Sequence, residues 1–162
     1  MRVRRPLIAV VGAGTSSSSV DELAAEVGRE IARHDAVLVC GGLGGVMAAA
    51  ARGTKEVGGY TVGILPGPDT LEANLYIDFP IATNMGHARN AIIVQTADVL
   101  IAVSGGYGTL SEIALALKAG KGVVTLDCRF SIPGPIAAHN PREAVDIALS
   151  LIKEQRPPTV VV

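Results

Sequence analysis

The sequence predicts a three-layer α/β/α sandwich around a mostly parallel sheet. Three observations carry this reading. Short runs rich in Val, Ile and Leu alternate with longer stretches of helical spacing, the pattern of strands joined by crossover helices. The apolar mass comes from 23 Ala and 19 Val, small residues that let helices lie close on a sheet and β-branched residues that suit buried strands. Glycine-rich loops follow three of the apolar runs. With 162 residues the chain fits one domain of the usual size, about 100–200 residues. No linker divides it, so residues 1–162 are read as a single domain.

The first strand is residues 7–11, ending at Gly12-Ala13-Gly14-Thr15-Ser16-Ser17. A helix over 20–33 follows, with Ser19 and Glu22 at capping-box spacing. The second strand is 36–39, then Gly41-Gly42-Leu43-Gly44-Gly45 and a helix over 46–57. The third is 61–65, closed by the Pro66-Gly67-Pro68 loop. Residues 76–81 are a weaker strand candidate, interrupted by Asp78 and closed by Pro80. A helix over 87–96 leads to a strand over 99–103 and the loop Ser104-Gly105-Gly106-Tyr107-Gly108-Thr109. A helix over 110–119 follows, with Thr109 and Glu112 at capping-box spacing. The next strand is 122–126. The last helix, 141–154, starts from Asn140, with Pro141 at its first position and Glu143 three residues on. Residues 160–162 read as a frayed end or an edge strand.

Composition excludes several functions. A net charge of −1 gives no basic field for nucleic acid or anionic membrane. Absence of Trp and an aromatic content of 3% argue against a base-stacking platform. The longest apolar region, 91–103, is broken by Gln95, Thr96 and Asp98 and falls short of the ~20 residues that span a bilayer. The apolar run behind the basic start is too short for a secretory leader. Cys40 and Cys128 form neither a framework nor a CxxC, which fits reduced thiols in the cytoplasm. Low charge beside high apolar content predicts a homo-oligomer, dimer or tetramer.

The three glycine loops lie at the carboxyl ends of predicted strands, where an open α/β sheet binds its ligand. Each feeds a helix, whose free N–H groups and positive dipole end favour an anion. Glycine lets a phosphate approach the backbone, although glycines after strands also serve tight turns. Seven of the nineteen glycines lie at 41–45 and 105–108, a concentration that turns alone do not require. The dinucleotide fingerprint is incomplete: Ser17 stands at its third glycine, and the second strand ends Val39-Cys40-Gly41 without an acid. No GxxxxGK[ST] occurs. His34, His87 and His139 lack metal-ligand spacing and read as surface or capping residues. Ser104 makes no nucleophile elbow, because Ala102 stands where that motif has glycine.

The segment Ser104-Gly105-Gly106-Tyr107-Gly108-Thr109-Leu110-Ser111-Glu112 resembles the PGGxGTxxE signature of the Lonely Guy family, long mislabelled as lysine decarboxylases. Cys40-Gly41-Gly42-Leu43-Gly44-Gly45-Val46-Met47 is similar to that family's GGxxGLM segment, and His87-Ala88-Arg89-Asn90 falls where it has an Arg-Lys pair. The resemblance covers about residues 7–126. Ser104 replaces the family's proline, Ser111 the first of its two acidic residues, and Asn90 its lysine. With these departures the chain looks more like the branch holding the molybdenum-cofactor carrier proteins, single Rossmann-like domains that form homo-oligomers and bind a phosphorylated pterin cofactor.

The resemblance implies binding of a phosphorylated nucleotide-like or pterin-like molecule, with the molybdenum cofactor or a nucleotide as ligand and no other cofactor or metal required. The phosphate- and ligand-binding candidates are Gly12, Gly14, Ser16, Ser17, Gly41, Gly42, Gly44, Gly45, Asn90, Ser104, Gly105, Gly106, Tyr107, Gly108 and Thr109. The alternative it implies is hydrolysis of the N-glycosidic bond of a nucleoside 5′-monophosphate. There Glu112 would act on the water and the developing ribosyl cation, and Arg89 on the phosphate or the leaving base. A nucleotide sensor without turnover is a third reading. For Glu112 the competing role is a helix cap shared with Thr109. Lysine decarboxylation is not expected, since Lys55, Lys118, Lys121 and Lys153 all lie outside the loops.

Overall fold

The computed structural model describes residues 4–155; the strand candidate at 160–162 lies outside them. Seven parallel strands form one sheet in the order β4-β3-β2-β1-β5-β6-β7. In chain order they are β1 (Leu7–Gly12), β2 (Val37–Cys40), β3 (Tyr60–Leu65), β4 (Phe79–Ala82), β5 (Val99–Val103), β6 (Gly122–Leu126) and β7 (Ile136–Ala138). The helices are α1 (Ser18–Arg33), α2 (Val46–Glu56), α3 (Arg89–Thr96), α4 (Tyr107–Lys118) and α5 (Pro141–Gln155).

The strands read as continuous apolar runs because both faces are covered. Ile8, Val10, Ile101 and Val124 pack against α1, α2 and α5 on one face. Ala9, Val11, Leu100 and Val123 pack against α3 and α4 on the other. The alternation along one strand sorts its side chains into the two layers. Small residues do what their abundance predicts where α1 meets α2. A Cβ at Gly28 would overlap the Ala50 carbonyl oxygen, and one at Gly53 the Ala25 carbonyl oxygen. Thr54 stitches the contact by donating to the Gly28 carbonyl at 3.2 Å.

Several local expectations are corrected. α1 is capped by Ser17, whose hydroxyl accepts from the Val20 N–H at 3.4 Å. Ser19 is already helical, and Glu22 pairs with Arg29 at 2.9 Å instead of capping. The 76–81 candidate becomes the edge strand β4 over Phe79–Ala82. Asp78 stays out of it because its carboxylate accepts from the Thr61 N–H and from Lys55, while an edge tolerates Pro80. The helix expected over 87–96 starts as a 3-10 turn over Gly86–Ala88. β7 was not foreseen. Asn140 does cap α5, accepting from the Glu143 N–H at 2.9 Å, while the Glu143 carboxylate accepts from the His139 N–H.

Candidate functional site

From β1 the sheet runs through β2 to β4 on one side and through β5 to β7 on the other. The strand order therefore reverses between β1 and β5, and a crevice opens at their carboxyl ends. Gly12 and Val103, the last residues of these strands, are register partners there. The loops after them diverge and leave a cleft of about 340 Å³. Gly12 and Gly14 line it from the first loop, Gly106, Gly108 and Thr109 from the third, and Arg89, Asn90 and Glu112 from α3 and α4.

The third loop reaches α4 by an unusual path. Ser104 has φ 52° and Gly105 φ 106°. Proline, held near −65°, could not occupy position 104 in this conformation, so the departure at Ser104 is structural. α4 begins at Tyr107, with Gly106 at the N-cap and no side chain capping it. Its first N–H groups lack intrahelical acceptors and stand beside the cleft. The expected Thr109–Glu112 capping box does not form, because both residues are already inside the helix. Thr109 is buried under Gly105, where a Cβ would overlap its side chain.

Glu112 is thus left without the cap role. It is 8% exposed and lines the cleft with no hydrogen-bond partner among the described residues. Burial pushes its carboxyl up to about 7, opposed by the nearby charge of Arg89. Arg89 is itself committed. Its Nη1 donates to the carbonyls of Gly41 and Ile64, each at 2.6 Å, at the ends of β2 and β3. Its Nε is buried without a partner, and burial holds the guanidinium below its ordinary pKa. The pair is coupled through space: desolvation disfavours both charges and each supports the other.

The remaining loop candidates divide by what their backbone needs. Gly12 is demanded by packing, since a Cβ there would sit 2.5 Å from the Val103 carbonyl oxygen. Gly41, Gly42 and Gly45 are likewise closed in, against Arg89, Leu65 and the Ala13–Gly14 backbone respectively. A Cβ at Gly14, Gly106 or Gly108 would meet nothing within 4 Å. Packing does not call for glycine there, and the bare backbone faces open space beside the cleft. Ser16 and Gly45 line a second cleft of about 410 Å³, which shares Gly14 with the first and is bounded by Asp21, Arg52 and Tyr76. Ser17 is spent on capping α1. Gly44 is exposed, and Tyr107 lines a third cleft, not the main one.

Leu43, Met47 and His87 also line the main cleft. Their neighbours Gly44, Gly45 and Arg89 were singled out in the sequence. His87 was read as a surface residue, and it is exposed, but on the 3-10 turn that leads into Arg89. Its place two residues before Arg89 was the available signal. Among the described residues no group of His, Cys, Asp and Glu is placed to hold a metal ion, and no helix is long and apolar enough to cross a membrane.

Comparison with known proteins follows the same lines. A molybdenum cofactor binding protein from Rippkaea orientalis has a similar structure, with a TM-score of 0.88 and 36% identity over 93% of this chain and 99% of that one. The Moco carrier protein of Chlamydomonas reinhardtii matches with a TM-score of 0.84 and 38% identity, at the same coverage. An uncharacterized protein of Archaeoglobus fulgidus is 50% identical over 88% of this chain and 94% of its own. A cytokinin riboside 5′-monophosphate phosphoribohydrolase of Mycobacterium tuberculosis is 40% identical over 57% of this chain, which spans about half of that enzyme's length. The SLOG cluster4 family model matches residues 5–160, and the chain belongs to that family.

Proposed function

We propose that this chain binds a phosphorylated small molecule with a nucleotide-like or pterin-like ring in the switch-point cleft. The observation that carries the reading is Glu112, a buried carboxyl without a hydrogen-bond partner, facing a cleft beside an uncapped helix start. Its carboxyl oxygens are not sealed from the cleft, so they are free to pair with a polar group of a ligand seated there. The first N–H groups of α4 take the phosphate, with Gly106 and Gly108 leaving room for its oxygens. Glu112, Asn90 and His87 face the rest of the ligand. The structural similarity to proteins that bind or carry the molybdenum cofactor supports a pterin-type ligand, held as cargo.

Hydrolysis of a nucleoside 5′-monophosphate is the second reading, supported by the similarity to the phosphoribohydrolases and by one observation. A carboxyl pushed up to about 7 exchanges a proton near neutrality, which suits a group that activates water. Water would add to the anomeric carbon as the C–N bond breaks and the base leaves with a proton, yielding free base and ribose 5-phosphate.

The working form in this proposal is a homo-oligomer. Leu71, Leu75, Phe79, Ile81 and Met85 are exposed in and around the edge strand β4, apolar surface that a second copy would cover. The unpaired thiols of Cys40 and Cys128 suit the reducing cytoplasm.

Native mass spectrometry of freshly purified protein, followed by calorimetric titration with AMP and GMP, tests the binding reading. A retained or titrated phosphorylated ligand is expected. A protein that retains nothing and binds neither nucleotide overturns it. Release of free base from AMP by the wild type, lost in Glu112→Gln, moves the assignment to the hydrolase.

A further inference from the structure

We propose that the shallow cleft between Tyr107 and Phe130 is a second ring subsite for the same ligand. The ligand class is then a phosphate-linked compound with two planar ring systems, a dinucleotide by chemistry. This rests on the phosphate seat at the start of α4 proposed above.

The third cleft, of about 260 Å³, is lined by Gly106, Tyr107, Leu110, Arg129 and Phe130. It meets the main cleft at Gly106, which lines both. A phosphate on the first N–H groups of α4 would therefore sit between the two, with room for a ring on either side. So few aromatics argue against a platform for a run of bases, but one of the three Tyr and one of the two Phe line this cleft, enough for a single ring. Tyr107 is 92% exposed, an aromatic surface that a stacked ring would cover. Arg129 has no ion-pair or hydrogen-bond partner among the described residues, and it stands ready for the second phosphate or for a ring carbonyl.

The subsite is held in place before any ligand arrives. The Cys128 thiol donates to the Ser104 carbonyl at 3.2 Å and lies 3.5 Å from that of Ala102. The loop that carries Arg129 and Phe130 is thus tied to the loop that carries Gly106. Phe130 also packs against the second core layer. The opposite neighbour, the cleft sharing Gly14, offers no such cation. Its Arg52 is paired with Glu56 at 2.9 Å, and Asp21 lies on its wall. Charge therefore directs an extended anionic ligand toward Arg129.

The test is calorimetric titration with AMP, ADP and diadenosine pyrophosphate, on the wild type and on Arg129→Ala and Phe130→Leu, with sedimentation of each protein. Stacking of a second ring should make the dinucleotide bind about tenfold or more tighter than ADP. Phe130→Leu should lose most of that advantage, Arg129→Ala should weaken ADP and the dinucleotide alike, and both should keep the wild-type affinity for AMP. A dinucleotide that binds no tighter than ADP, while AMP still binds, overturns the subsite and leaves the proposed function standing. Failure of all three to bind overturns the phosphate seat and the subsite together. Variants that dissociate the oligomer while keeping the dinucleotide advantage assign this face to contact between copies, and overturn the subsite.

Discussion

Glu112 and Arg89 line the same cleft and feel each other's charge, yet no hydrogen bond joins them. Arg89 gives its Nη1 to the carbonyls of Gly41 and Ile64, and the carboxyl of Glu112 is left to the cleft. An ion pair here would have closed the site on itself. The arrangement instead keeps a titratable acid available at the strand-order reversal.

Glu112 therefore makes stability depend on pH. Its folded value of about 7 lies above its ordinary value of 4.5, so the folded state holds the proton more tightly than the unfolded chain. Stability from this group is full below about 4.5 and is lost as pH rises through about 7. Each pH unit separating the two values is worth about 1.4 kcal/mol. Glu112→Gln should leave stability at pH 4 nearly unchanged and raise it by roughly 3 kcal/mol at pH 8. Urea unfolding of both proteins across this range checks it. A difference independent of pH would contradict the buried acid.

Arg89→Met should act in two ways. It strips the carbonyls of Gly41 and Ile64 of a charged donor, and hydrogen bonds of that kind are worth roughly 1.5–3 kcal/mol each. Chemical denaturation should show a loss of about 3 kcal/mol or more. Removing the cation also takes away what lowers Glu112, so that carboxyl should titrate above its wild-type value. NMR titration of the glutamate side chains reads this directly.

Gly106→Val separates binding from folding. The Cβ position there is open, and only the backbone, at φ −122° and ψ −147°, resists a side chain. Thermal unfolding should shift downward while the fold is retained. The added methyl groups would stand over the first N–H groups of α4, so phosphorylated ligands should bind at least tenfold more weakly in calorimetry.

Ser104→Pro should be severely destabilising. Position 104 has φ 52°, which the pyrrolidine ring cannot reach, and its N–H donates to the Leu126 carbonyl at 2.9 Å. A loss of about 3 kcal/mol or more is expected. Ser104→Gly, which accepts positive φ freely, should unfold at or above the wild-type midpoint. Equal midpoints for the proline and glycine variants would refute the loop conformation.

The layers of the fold were legible because strands buried on both faces must be apolar at every position. Residues 7–11 and 99–103 could be read on that ground alone, since each is buried or nearly so throughout β1 and β5. β7 was not, because Ile136 and Ala137 are exposed and a three-residue edge strand has no face to pattern. The glycine clusters, with Arg89 and Glu112, could be singled out as components of a candidate site. Their roles could not. The spacing of Thr109 and Glu112 fits a helix cap and a site equally well. Tertiary structure removed the cap reading by starting α4 at Tyr107, which places both residues inside the helix, and it sets the carboxyl on the wall of the cleft. It also decided which loops meet. The reversal at β1 and β5 is a matter of strand order, set by how all seven strands and both helical layers pack, and no local run of residues encodes it. His87 and Phe130 belong to the clefts for the same reason: a side chain's neighbours across a crevice come from elements distant in the chain.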